Sequence, residues 1–373
     1  MALSERAVDW GASGRTDQYW FAIVDPFTLQ EVDTAVVKEG ASRITWAYGT
    51  ENECEASLEM VDSTYLGENG VHYMVRPIHS VTIGDFCQRY PMGTFFVSNL
   101  TNSSVHHVAT RKLTCYGPWY RYTQDVLPSD WVRHVGDNVV EGIRHIVESN
   151  GGHLSVEPGV DLARTHTMDF INVAGTNLGE MLRVFAGWIG CEMVSDTMGN
   201  MVLRPYESPY TKAPVYTFED GRNCVYVSGL DWEVNRDEPI NRVVAYFSRE
   251  KKQDDDPYPL SDSVCVDVPP ADAYSYDLTG RHRTQVIQVT EACSHDDLTA
   301  QAQRALDERA GGVMSIKIQH AGIPWLRVGD CVTYRNSNDD SNPNLVSVGI
   351  IQEMSVDGLG PMCMTTTKIR CYR

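Results

Sequence analysis

The chain is short of basic residues: 31 Lys and Arg stand against 50 Asp and Glu, for a formal charge of −19. That deficit argues against nucleic-acid binding, which needs clustered cations to neutralise phosphates. It fits a surface that sheds passing polyanions, and equally one that is simply kept in solution. No run of about 18 apolar residues occurs, so no membrane-spanning helix is expected. The first residues, Met1 to Trp10, lack a basic stretch followed by an apolar one, so no secretory signal is read and folding in a cytoplasm is expected. Cysteine pairs at two-residue spacing are also missing. The ten cysteines are scattered, most of them in apolar runs such as Leu113-Thr-Cys115, which predicts buried, unpaired thiols rather than zinc ligands. There is no Gly-x-Ser-x-Gly elbow, no His-Glu-x-x-His and no phosphate-cradling glycine loop.

What remains is an ordinary globular composition, 42% hydrophobic and 22% charged over 373 residues, long enough for two or three domains. The front of the chain reads as short strands at roughly ten-residue spacing: Tyr19 to Val24, Ile44 to Tyr48, Glu55 to Val61, His72 to Arg76, Met92 to Val97 and Ala109 to Tyr116. Such spacing predicts a barrel or sandwich. The middle changes character. Ser129 is read as the cap of a helix reaching Glu148, with Val132, Val135, Val139, Ile143 and Ile146 on one stripe. A second helix begins at Asn177, with Glu180 placed as its capping-box partner, and runs into a hairpin, Cys191–Ser195 and Met201–Arg204, around an Asp-x-x-Gly turn. Strands return from Val225. A helix over residues 294–309 carries Leu298, Ala302, Ala305 and Leu306 on one face, and the segment Gly322 to Tyr334 follows with Leu-Arg-Val-Gly-Asp at its centre. Strand, helix, strand and that turn form a packing unit for a small β-barrel, with nothing that resembles a reaction centre.

The candidate sites are mostly rejected on pattern. His106 and His107 would point to opposite faces of a strand and could not easily share a metal. His295 reads as a surface residue of a helix's first turn. Asp254-Asp255-Asp256 lacks the glycine and distal glutamate of a calcium loop, and Asn336 to Asn344 reads as a hairpin tip. Trp119, Tyr120, Tyr122 and Trp131 could form a sugar platform or the core of a domain junction. With 50 acidic residues, a pair of facing carboxylates cannot be picked out by pattern. No catalytic, cofactor-binding or metal-ligating residue is assigned.

Several stretches, taken in order, carry a resemblance. Glu55 to Met60, Pro91 to Val97 and Leu113 to Tyr116 lie in the front; Asn177 to Leu182 and Gly190 to Arg204 in the middle; Asn241 to Val244, Ala300 to Arg309 and Leu326 to Asp330 in the rear. Together they resemble the baseplate, or tail-tip, hub proteins of tailed bacteriophages, a group related to late-control tail proteins and the hubs of type VI secretion spikes. The resemblance implies a β-rich α+β fold with two small β-barrel (tube) domains and a central α+β insertion. The expected domains are 1–118, an arm and the first barrel; 119–222, the α+β middle; and 223–373, the second barrel with helix 294–309. It implies a structural role rather than an enzymatic one: a homotrimeric ring that adapts a sixfold tail tube to a threefold tip and lets DNA pass without specific binding. Expected partners are the tail tube or distal tail ring and a spike, fibre or tape-measure protein, with no membrane insertion by this chain and no cofactor. The expected location is the virion tail tip, assembled in the host cytoplasm. The chain resembles a hub without a fused lysin. A tail-associated cell-wall hydrolase or a carbohydrate-binding adhesin is the alternative.

Overall fold

The computed structural model describes residues 8, 10, 14–50, 53–61, 73–105, 108–167, 169–219, 225–227, 231–234, 240–249, 258–270, 275–289, 293–309, 314–336, 345–360 and 363–372. The front half consists of β1 (Arg15–Val24), β2 (Glu31–Val37), β3 (Arg43–Ala47), β4 (Cys54–Val61), β5 (Met74–Ile83), β6 (Phe86–Pro91), β7 (Phe95–Val105) and β8 (Val108–Tyr116). Period-two alternation sets their faces. In β4, Cys54, Ala56, Leu58 and Met60 are buried while Glu55, Ser57 and Glu59 point the other way. Antiparallel pairings run β1–β2, β2–β4, β4–β8, β8–β7, β7–β5 and β5–β1, so six strands close a cycle. Phe21, Ile44, Leu58, Phe95 and Leu113 fill its interior. Closure of this kind removes unpaired strand edges.

The middle holds α1 (Tyr120–Thr123), β9 (Trp131–Arg133), α2 (Val139–Ser149), β10 (Leu154–Val156), β11 (Phe170–Asn172), α3 (Leu178–Trp188), β12 (Cys191–Ser195) and β13 (Met201–Pro205). Helix α3 starts where the capping pattern puts it: the Asn177 side chain accepts the Glu180 N–H, and Leu178, Met181, Leu182, Phe185 and Ala186 are buried. Helix α2 does not start at Ser129. Its cap is Asn138, whose side chain accepts the Glu141 N–H, and Val132 and Val135 are exposed. The residues assigned to the first helical turns instead form β9, paired antiparallel to β11, and Gly136 turns the chain at φ +89°. Strand β10 joins the β12–β13 hairpin in parallel with β13.

The rear contains β14 (Tyr216–Glu219), β15 (Asp231–Val234), β16 (Arg242–Ser248), β17 (Ser261–Asp267), α4 (Tyr276–Thr279), β18 (Thr284–Gln288), α5 (His295–Arg309), β19 (Met314–Ala321), β20 (Cys331–Asn336), β21 (Leu345–Asp357) and β22 (Met364–Cys371). Strands β15, β19, β22, β21, β20 and β14 follow one another in a single sheet. Its core includes Phe218, Ile316, Ile318, Val332, Tyr334 and Ile369, and Trp10, Val81 and Tyr90 complete that core from the front half. Strand β21 is long enough to do two jobs: its start pairs with β20, and Glu353–Asp357 pair with β3. Front and rear are therefore one continuous sheet. Helix α5 buries Leu298, Ala302 and Leu306, as its stripe predicts, but against the separate three-stranded sheet β17-β16-β18 rather than across the rear sheet.

The Leu-Arg-Val-Gly-Asp segment is a turn. The Asp330 carboxylate accepts the Arg327 N–H at 2.8 Å, Gly329 sits at φ +84° against the Tyr48 ring, and Leu326 is buried. None of the nine described cysteines forms a disulfide with another, and six of them are buried; Cys224 lies outside the described residues. No described helix is long and apolar enough to cross a membrane.

Candidate assembly surface

The continuous sheet presents one polar face across both halves. Cross-strand register puts Glu233 beside Ser315, Lys317 beside Lys368, Lys368 beside Glu353, Ser355 beside Thr45 and Asp357 beside Arg43. The row continues through Thr45–Glu55, Ser57–Thr114 and Glu59–Lys112 to Thr101 on β7. Alternate residues on the other face, among them Ile316, Ile369, Val356, Ile44, Leu58 and Leu113, are buried in the cores. Where front meets rear, the polar face is hollowed into a concavity of about 470 Å³. Its charges are Arg43, Lys317 and Lys368 against Glu233, Glu353 and Asp357, an equal number of each sign. Arg43 pairs with Asp357 at 3.2 Å and Lys368 with Glu353 at 3.8 Å, both exposed. This hollow is charge-balanced, with oppositely charged residues on neighbouring strands.

Two polar contacts help to hold the middle unit on the front half. Arg76, fully buried on β5, donates to Thr94 Oγ1 at 2.8 Å, to Leu29 O at 3.2 Å, to Glu31 Oε1 at 3.2 Å and to Met198 O at 2.9 Å in the β12–β13 turn. Thr94 in turn donates to Thr197 O at 2.9 Å. At the second point, Glu53 Oε2 accepts the Ser195 N–H and O–H at 2.8 and 2.9 Å. Burial pushes the Glu53 carboxyl up to about 7, against the pull of those hydrogen bonds. Nearby, Tyr48 donates to Glu192, which also pairs with Arg204 at 2.8 Å.

A third polar network lies at the seam of the two halves. Arg15 forks onto Asp17, Asp17 meets His79, the His79 ring stacks on Tyr19 at 4.4 Å, and the Tyr19 hydroxyl reaches Cys363 Sγ at 2.9 Å. Burial opposes ionisation of Asp17, but the hydrogen bonds from His79 and Arg15 outweigh it and hold the carboxyl below its usual range. Burial likewise holds the His79 imidazole below the usual histidine value.

The sequence candidates resolve plainly. Trp119 and Tyr122 are buried in the core of the middle unit, Trp131 packs on Phe185, and Tyr120 stacks on Tyr116. Trp119, Tyr122 and Trp131 thus belong to the core of the middle unit. His295 is exposed and bonded to Asp262 at 2.9 Å. His106, His107 and Asp254 to Asp256 lie outside the described residues, as do positions 337–344 of the Asn-rich stretch. No group of three or more His, Cys, Asp or Glu is placed to hold a metal among the described residues. Sequence reasoning missed Arg76 and Glu53, since neither belongs to a motif and each binds the middle unit through a partner far along the chain, 122 and 142 positions away.

No family model matches this sequence, and no curated protein matches it either. Solved structures do. A tail protein from Neisseria meningitidis MC58 superposes with a TM-score of 0.60 at 12% identity, covering 94% of this chain and 96% of its own. A 43 kDa tail protein of prophage MuSo2 from Shewanella oneidensis gives 0.60 at 13%, covering 94% and 97%. The chain has the fold of these tail proteins. An Escherichia coli component of the type VI secretion system, described as structurally similar to T4 bacteriophage tail proteins gp27 and gp5, matches at 0.51 and 9% identity, over 91% of this chain and 75% of that one. A β-rich phage-tail fold is what the sequence resemblance implied.

Proposed function

We propose that the chain is a structural hub of a bacteriophage tail tip or baseplate. Three copies form a ring in which the front cycle and the rear sheet of each serve as two alike tube segments. Six segments match a sixfold tail tube above and a threefold tip below, and DNA passes through the ring without specific binding. The division into residues 1–118, 119–222 and 223–373 goes with this reading, with the β16–β18 sheet and α5 as a lobe of the third part. The observation that carries it is the β3–β21 pairing, which makes one polar, hollowed face run unbroken from β15 to β7. A charge-balanced, Ser- and Thr-rich wall neither grips phosphates nor excludes them strongly, which suits passage better than binding. Partners on this reading are the tail tube or distal tail ring on one side and a spike, fibre or tape-measure protein on the other, in the assembled virion. The role on this reading is non-catalytic. Light scattering over a concentration series, with and without a cognate tail-tube protein, tests it. A trimer that binds the tube protein is expected; a strict monomer indifferent to it at high concentration counts against the proposal.

A further inference from the structure

A cleft of about 520 Å³ lies at the point where the front cycle, the middle unit, α5 and the rear sheet meet. Four arginines line it, Arg183 from α3, Arg304 and Arg309 from α5, and Arg370 from β22. That convergence is unusual in a chain carrying −19. The lining carboxylates are Glu53, Glu192 and Glu308. Each is answered from within: Glu192 by Arg204 and Tyr48, Glu308 by Arg304 at 3.0 Å, and Glu53 by Ser195. Four guanidinium groups thus face three carboxyls, and the cleft carries a small positive excess inside an acidic molecule. Tyr48, Tyr206 and Tyr372 give it aromatic walls, with Arg304 over Tyr206 at 4.8 Å and Arg370 over Tyr372 at 5.5 Å.

We propose that this cleft binds an acidic peptide segment of a partner protein, its carboxylates met by Arg309 at the cleft mouth and its apolar side chains laid on the tyrosine rings. The volume lies in the range of peptide and ligand pockets, planar guanidinium groups match carboxylates bidentately, and a positive cleft with low-dielectric walls concentrates anionic ligands. A phosphate ligand fits less well. The helix end at the cleft is the C-terminal end of α5, whose Glu308 carbonyl already takes a hydrogen bond from Arg370 at 2.7 Å, so no helix N-terminus offers backbone N–H groups there. A segment seated in the cleft touches all four parts of the chain at once and fixes them relative to one another. The inference stands on the cleft alone and does not depend on the ring.

Selection of a displayed, unbiased nonapeptide library on the full chain tests it, with Arg309→Glu and Arg370→Glu as counter-targets. Arg309 is exposed at the helix end, so R309E keeps the fold, and a thermal melt matching the parent verifies that. The expected result is a set of winning peptides with at least two Asp or Glu beside an aromatic or branched residue. Their affinity falls at least tenfold on R309E and weakens with added salt. The proposal is overturned by no enrichment, by winners without acidic residues, or by winners that bind R309E as they bind the parent. It is equally overturned if ATP or inorganic phosphate binds in an R309E-sensitive manner and no acidic peptide does.

Discussion

Arg76 ties the β12–β13 turn of the middle unit to the front cycle. It is 1% exposed and divides its donors among a hydroxyl, two carbonyls and a carboxylate from three separate segments. Replacing it with Met keeps most of the volume and removes every donor. The Glu31 pair contributes little, since that carboxylate is 49% exposed and screened by water. The larger loss is the two carbonyls, Leu29 O and Met198 O, left without their charged donor, at about 1 to 3 kcal/mol each. The Arg's own desolvation cost is relieved at the same time, so a net loss of about 2 to 4 kcal/mol is expected. It should appear first where the turn leaves the front cycle. Hydrogen exchange at the Gly199 and Asn200 amides reads it directly: a local loss of about 2 kcal/mol speeds exchange about 30-fold. Amides in β1 and β5 that pair within the cycle should change far less. If R76M leaves exchange in the turn within threefold of the parent, the clasp has been misread, because no other side chain described there donates to Met198 O.

Further outcomes follow from the same contacts. Glu53 has a folded-state carboxyl raised above its unfolded value, so the protonated form is favoured in the folded chain. Stability should therefore fall as pH rises from about 4.5 to 7 and level off above, and Glu53→Gln should flatten that part of the profile in urea titrations. A slope of the same size in E53Q would remove Glu53 as its source. Trp119→Ala should cost about 3 to 5 kcal/mol by opening a cavity in the middle core, with no glycan binding in the parent to lose; a glycan-array signal abolished by this change would instead revive the adhesin reading. Asn177→Ala should cost about 1 kcal/mol through loss of the α3 cap, measured by chemical denaturation, and Asn177→Asp should retain it.

Local chemistry made part of this fold legible. The Asn177 cap adjoins its apolar stripe, and Asp196 accepts the Met198 and Asn200 N–H groups in the hairpin turn, so α3, β12 and β13 could be read from consecutive residues. The α2 start was misplaced because Val132 and Val135 extend the stripe's spacing by coincidence; Gly136 and Asn138 carried the true boundary signal. Pairings between distant residues left no local trace. Asp357 with Arg43 and Tyr216 with Val332 are joined only once the chain has folded. The same holds for the three-stranded sheet under α5, whose helix stripe says that a face is buried but not what covers it. The balance of charge in the sheet hollow was hidden too, since net charge is a sum over the chain and the hollow selects three residues of each sign.

Electron microscopy of the purified protein tests the hub proposal most directly. A threefold ring with a central hole, at about three times the 41.8 kDa chain mass and with the Lys317–Glu353–Arg43 face turned to the hole, is the predicted result. Isolated single chains, or a closed oligomer in which that polar face is buried against another copy, would contradict it.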